Sequence, residues 1–262
     1  MKIGVTKLNT MLSPKPLKCS SCGNEHEPPL NIYGEPQYRI CIPCQSKRES
    51  DELEKAKQSR VEICDVYASC FVPPIFKNLK WDIPDRFKKY VPGHGDGRGL
   101  CLTGKSGTGK STITALILRD WFRDQAHNAR WGKDSWRTGY AVGGRYWQFI
   151  SYPKFIMELQ DSFRSKNKDK DEESAYEKIE KISQIPYLII DDLGAEKPTE
   201  FVRQSTYFLI NEREMNQKIT FITTNFSLGF LDENIDPRVA SRIAGMCDIV
   251  NLEGQDMRLK KS

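Results

Sequence analysis

The chain has no run of eighteen apolar residues, and so no segment with the length and composition of a membrane-spanning helix. Its opening stretch, Met1–Thr10, lacks the apolar core and cleavage site of a secretory signal, which points to the cytoplasm. No internal repeat is visible, which sets aside repeat architectures. Neither sign of charge dominates: 40 Lys+Arg stand against 35 Asp+Glu, a net +5. That balance is compatible with nucleic-acid contact but excludes a histone-like polycation. What the chain does have is eight cysteines. Without a secretory route these point to a metal or to core packing rather than to a disulfide framework. At 262 residues the chain suits one ordinary domain plus a small module.

The first 44 residues are irregular and hold six of the fourteen prolines. A segment of this kind buries too little apolar surface to fold unaided. From Gln45 to about Ser69 the texture changes to charged and proline-free, with Leu53, Ala56, Ile63, Tyr67 and Cys70 at helical spacing. This reads as a bridging helix with too few heptads for a coiled coil. Beyond Pro73-Pro74, short apolar runs alternate with amphipathic stretches. The runs are Gly99–Thr103, Tyr146–Ser151, Tyr187–Ile190, Ile219–Thr224 and Ile249–Leu252, with helical patterns over Ser111–Ala126 and Pro153–Phe163. Strands this short and apolar suit a parallel α/β sheet covered on both faces. The expected division is therefore a module over 1–44, a bridging helix over 45–70 and an α/β domain over 71–262.

Gly104-Lys105-Ser106-Gly107-Thr108-Gly109-Lys110-Ser111 satisfies the phosphate-loop pattern G-x-x-x-x-G-K-S/T between a predicted strand and a predicted helix. Gly107 and Gly109 let successive backbone N–H groups curl around a phosphate, and the helix N-terminus adds partial positive charge. Lys110 is placed to reach the β- and γ-phosphates of ATP, and the Ser111 hydroxyl to ligate Mg²⁺. Such a loop requires an acidic residue at the end of a neighbouring strand. Tyr187-Leu188-Ile189-Ile190-Asp191-Asp192 supplies two. Asp191 is the candidate magnesium ligand and Asp192 the candidate for polarising the attacking water. The strand Phe221-Ile222-Thr223-Thr224 ends in Asn225, whose amide can orient a water or the γ-phosphate without adding negative charge.

Cys19-x-x-Cys22 and Cys41-x-x-Cys44 lie eighteen residues apart, a spacing used by four-cysteine zinc sites. Four thiolates leave no open position, so Zn²⁺ there would be structural and would supply the folding energy this stretch lacks. The intervening segment can form a hairpin about Gly34. His26 is the one competing ligand, whereas Cys64, Cys70, Cys101 and Cys247 read as core thiols.

The succession Gly104–Ser111, Ile190-Asp191-Asp192, Ile222-Thr223-Thr224-Asn225 and Arg238-Val-Ala-Ser241-Arg242-Ile resembles the AAA+ ATPases. More narrowly it resembles the replicative-helicase loaders of the DnaC/DnaI type and their transposition relative IstB, over roughly Phe71 to Arg258. The resemblance implies an arginine that reaches into a neighbouring subunit's nucleotide site. By motif position that is Arg242, with Arg238 second. Hydrolysis would then require self-association. Only ten residues follow the last predicted strand. That leaves no room for the helical lid of many AAA+ proteins, and loaders of this group are similarly truncated; Arg258 is not taken to substitute for the lid's arginine. The resemblance also implies an N-terminal zinc module that contacts the helicase, a feature that separates DnaI-type loaders from IstB. Phages as well as bacteria carry such loaders.

Two segments are candidates for single-stranded DNA contact. Arg130–Trp147 interleaves aromatics with Arg and Lys, as base-stacking surfaces do, although a hairpin packed on the ATPase domain fits equally. Arg164–Lys170 is basic but runs into Asp171, Glu172 and Glu173, and reads better as a solvated loop. The expectation is an ATP-dependent loader that binds a replicative DNA helicase through the zinc region and delivers it onto single-stranded DNA. Its rivals are an IstB-like ATPase acting on duplex DNA and a zinc adaptor using ATP only as an assembly switch. Of the net charge, +1 falls in residues 1–70 and +4 beyond. That is too little for tight unspecific binding by one copy, so a DNA grip would come from repetition around an assembly.

Overall fold

The computed structural model describes residues 16–27, 41–77, 79–127, 146–164 and 173–257, which form two compact units, 1–59 and 60–262. The larger unit is built on five parallel strands: β3 (Gly99–Thr103), β4 (Trp147–Ser151), β5 (Tyr187–Asp191), β6 (Ile219–Thr223) and β7 (Cys247–Asn251). Their order across the sheet is β4-β5-β6-β3-β7. Alternation along each strand sorts the core into two layers. Leu100, Leu102, Ile189 and Phe221 point to one face, where the short helix α2 (Asp85–Lys88) packs through Phe87 and helix α3 (Lys110–His127) through Ile113, Leu116 and Ile117. Cys101, Leu188, Ile190 and Ile222 point to the other. That face is covered by α4 (Tyr152–Arg164), α5 (Ala175–Ser183), α6 (Glu200–Met215), α7 (Leu228–Asn234) and α8 (Pro237–Met246). Both faces are thus apolar, which is why the strands read as continuous hydrophobic runs.

Four of the later helices announce their starts with capping residues, among them Ser227, which accepts from Phe230 N–H. Ser174 forms a capping box with Glu177, Thr199 accepts from Val202 N–H, and Asp236 accepts from Arg238 N–H ahead of Pro237. Strand positions match the sequence pattern closely, with two differences. The last strand begins at Cys247 and stops at Asn251, because Leu252 peels away to donate its N–H to the Thr103 carbonyl at 2.8 Å. The acidic strand β5 is not adjacent to the phosphate-loop strand β3, because β6 inserts between them and pairs with both.

In the smaller unit, β1 (Leu17–Lys18) and β2 (Glu25–His26) pair antiparallel around a turn closed by Gly23, whose φ is +77°. Helix α1 begins at Ile42 rather than Gln45 and runs to Cys70. Cys44 therefore lies in its first turn, and Gln45 N–H donates to the Cys41 carbonyl at 2.9 Å. The two compact units divide between Ser59 and Arg60, within this helix rather than after residue 70. The far end of the helix belongs to the larger unit: Ala68 is in its core, and Asp65 accepts two hydrogen bonds from Arg123 at 2.7 and 2.6 Å. Among the described residues no helix is long and apolar enough to cross a membrane.

Candidate nucleotide site and cysteine cluster

The C-terminal ends of β3, β5 and β6 converge, which is where ligands bind in open parallel sheets. The phosphate loop leaves β3 at Gly104 and enters α3 at Lys110, with positive φ at Gly104, Gly107 and Gly109. Lys110 is almost wholly buried, and its ammonium donates to the carbonyls of Gly104 (2.8 Å) and Lys105 (2.7 Å) and to Asn225 Oδ1 (2.9 Å). The asparagine strand therefore reaches the loop lysine directly. Asp191 lies at the same edge. Burial pushes its carboxyl above the ordinary range, opposed by hydrogen bonds from the Ser111 and Thr223 side chains. A half-buried carboxylate beside a hydroxyl is a donor set that fits a hard divalent cation. Asp192 follows in the left-handed region, φ 59°, and faces the same cavity.

That cavity has a volume of about 830 Å³, enough for a nucleotide. It is lined by Gly107, Gly109, Lys110, Ser111, Asp191, Asp192 and Asn225, and also by the apolar residues Ile75, Phe76, Leu79 and Trp81. The apolar wall carries no motif and was not legible as part of a site. Nor was the chain after β7. The Leu252 carbonyl and the Asp256 carboxylate lie where Cβ atoms on Gly104 and Gly107 would fall, and Met257 N–H donates to the Gly107 carbonyl at 3.0 Å. A second cavity of about 740 Å³ lies between this tail, Lys105 and Asn225–Leu228.

The two candidate arginines line neither cavity. Arg242 is held on α6, donating to Asn211 Oδ1 (3.0 Å) and pairing with Glu214 (3.3 Å), with its side chain 26% exposed. Arg238 is 63% exposed, pairs with its own helix cap Asp236 at 2.7 Å and lies over the Tyr207 ring. Of the segment considered for DNA contact, residues 130–145 lie outside the described residues, and Trp147 is buried against Phe221 and Tyr187. It is a core residue and not part of a base-stacking surface. Most of the second basic segment (165–170) and Arg258 are likewise outside the described residues. Cys101 and Cys247 are buried thiols as expected, Cys101 being pushed up to about 12 by burial, while nothing is described of the Cys64 and Cys70 side chains.

In the smaller unit, the sulfurs of Cys19, Cys22, Cys41 and Cys44 all lie within 4.8 Å of one another. Tetrahedral zinc with ordinary Zn–S bonds sets its sulfurs ~3.8 Å apart, and Cys22 Sγ and Cys41 Sγ are separated by 3.7 Å. Backbone N–H groups, that of Cys41 foremost, pull the Cys19 thiol down to about 6, while hydrogen bonding with the Cys41 and Cys22 sulfurs raises Cys44. Four thiols so placed cannot all ionise without a cation among them, so the cluster is compatible with zinc. His26 is not part of it.

A phosphate-loop sequence after β3, an acidic end to β5 and an asparagine after β6, on a five-stranded parallel sheet flanked by helices, match the P-loop fold of the AAA+ proteins. The chain is 24% identical over 263 residues to the replicative helicase loader DnaI of Bacillus subtilis strain 168, covering 92% of this chain and 75% of that one. A crystal structure of DnaI superposes with a TM-score of 0.50 at 21% identity, over 73% of this chain and 98% of that one. A protein from Streptococcus pyogenes serotype M3 gives 0.49 at 20% identity, over 72% and 96%. No protein-family model matches the chain. In sequence the chain is similar to the DnaI loader over most of its length, and its fold is that of the AAA+ proteins.

Proposed function

We propose that this chain is an ATP-dependent loader that binds a hexameric replicative DNA helicase through its N-terminal cysteine module and delivers it onto single-stranded DNA. The observation that carries the reading is the meeting of Lys110, Asn225 and the Asp191–Asp192 pair at one sheet edge, in a chain similar to DnaI over 92% of its length. The loop amides and Lys110 hold the phosphates, and the wall of Ile75, Phe76, Leu79 and Trp81 offers an apolar surface to the base. Ser111 and Asp191 would hold Mg²⁺, which when bound neutralises phosphate charge. Asp192 polarises the attacking water, and Asn225 orients it or the γ-phosphate. Arg242, supplied by a neighbouring copy, stabilises transition-state charge, so turnover depends on self-association. The four cysteines hold structural zinc, and the module they close is the contact with the helicase.

Native mass measurement of the full chain with the replicative helicase of its host, with and without ATP, tests the reading. A defined complex that forms with the wild type, is lost with Cys41→Ser and changes stoichiometry on ATP addition is expected. Duplex DNA binding with no helicase complex would overturn it in favour of an IstB-like role. Loading that survives Asp192→Asn would show that ATP serves only as an assembly switch.

A further inference from the structure

The candidate acidic pair is set from outside its own strand. Thr223, wholly buried at the end of β6, donates its hydroxyl proton to Asp191 Oδ1 at 2.7 Å. Thr223 Oγ1 in turn accepts the Asp192 backbone N–H at 3.0 Å. A hydroxyl has one proton, so donation to the carboxylate leaves only lone pairs facing the amide, and each bond enforces the other. The backbone continues the clasp. Thr223 C=O accepts from Leu193 N–H at 2.9 Å. The neighbouring Thr224 hydroxyl bonds neither aspartate and donates instead to the Leu193 carbonyl at 2.7 Å. This matters because Asp192 sits at φ 59°, a region uncommon for a side-chain-bearing residue and held only where its surroundings impose it. Two residues further on, the same segment presents Asn225 to Lys110.

We propose that Thr223 is a positioning residue for the acidic pair: its single hydroxyl aims the Asp191 carboxylate and fixes the turn that carries Asp192, tying both to the segment that presents Asn225. The proposal rests on the nucleotide-hydrolysis reading above. It requires the hydroxyl specifically, because valine has the same shape and no hydrogen bond to offer.

The test compares Thr223→Val, Thr223→Ser and the control Thr224→Val in the full chain. Each is assayed with ATP in the presence of helicase and single-stranded DNA, and for binding of a fluorescent ATP analogue with and without Mg²⁺. Thr223→Val should lower kcat at least tenfold with KM changed less than threefold, and should abolish the gain in nucleotide affinity that Mg²⁺ brings. Thr223→Ser should restore both. Thr224→Val should lower thermal stability while keeping kcat within twofold. If Thr223→Val does not fold, Thr223→Ala against Thr223→Ser carries the same contrast. Equal kcat and equal Mg²⁺ dependence with and without the hydroxyl overturn the proposal alone. A wild-type chain with no Mg²⁺-stimulated turnover overturns the hydrolysis reading and this one with it.

Discussion

The Lys110 ammonium donates to Asn225 Oδ1 across 2.9 Å, joining the phosphate loop to the strand that separates it from the acidic pair. Two loop carbonyls accept from the same ammonium, so an arriving phosphate must compete with all three acceptors. Asn225 therefore has two consequences that substitution can separate. Asn225→Ala removes an acceptor from Lys110 and, on the proposed reading, the amide that would orient the water or the γ-phosphate. Hydrolysis should fall roughly 10- to 100-fold while ATP affinity changes little. Asn225→Asp instead places a carboxylate beside the ammonium and the phosphates, and calorimetric titration should show clearly weaker ATP binding. Equal affinity in the two variants would show that Asn225 does not govern the lysine.

Asp248, on edge strand β7, anchors a second contact set. It accepts from Tyr90 Oη at 2.8 Å, Arg98 Nε at 2.9 Å and Lys89 Nζ at 3.1 Å. The Tyr90 bond foremost, with those of Lys89 and Arg98, depresses its carboxyl from 3.8 to about 2. A folded-state value below the unfolded one stabilises the fold above the unfolded value, and that stability is lost as pH falls through the folded one. Asp248→Asn should thus cost about 1–2 kcal/mol near neutrality, allowing for solvent screening. The gap between variant and wild type should close between about pH 4 and pH 2. Urea titrations across that range check it; a gap independent of pH would mean that the carboxylate's charge contributes nothing.

Arg213 is fully buried on α6 and donates to Thr220 Oγ1 at 2.9 Å and to the carbonyls of Ile182, Ser183, Ile185 and Ile219 at 2.7–3.3 Å. It ties the end of α5 and the start of β6 together. Arg213→Ala strands those carbonyls in the interior and should destabilise by about 3 kcal/mol or more. Arg213→Lys should rescue little, since one ammonium cannot span five acceptors. Denaturant midpoints with unchanged slopes would establish this as a stability effect.

Arg213 also shows where reading the sequence stops. The phosphate loop, the acidic strand end and the paired cysteines are legible because their chemistry is local: loop, strand end and CxxC turn each carry their meaning within a few residues. Strand limits follow from apolar runs buried on both faces. The insertion of β6 between β3 and β5 depends on crossover paths, so Asp191 at the end of a neighbouring strand was the natural but incorrect expectation. Arg213 in a helix reads as a surface charge, Thr223 as a β-former, and Trp147 as one of a string of aromatics. Their roles arise from partners tens of residues away. Arg242 is intermediate: the motif selects it, and the structure adds that Asn211, Glu214 and Tyr207 hold it.

The chain after β7 gives the last prediction. Asp256 packs against Gly107 and Met257 caps the Gly107 carbonyl, so the tail lies on the loop that would hold phosphate. Like charges repel, and a carboxylate beside the loop opposes the approach of a polyanion. Asp256→Asn should therefore tighten ATP binding severalfold, with the gain shrinking as salt rises, because screening removes the repulsion. Gly107→Ala should act in the opposite sense. Its φ of +77° disfavours a side chain, and the new methyl would collide with the Asp256 carboxylate, so loop and tail could not both keep their places. Titration of ATP at two salt concentrations decides the matter. Affinity that is unchanged or weaker in Asp256→Asn would make the carboxylate a support of the loop rather than a barrier to phosphate.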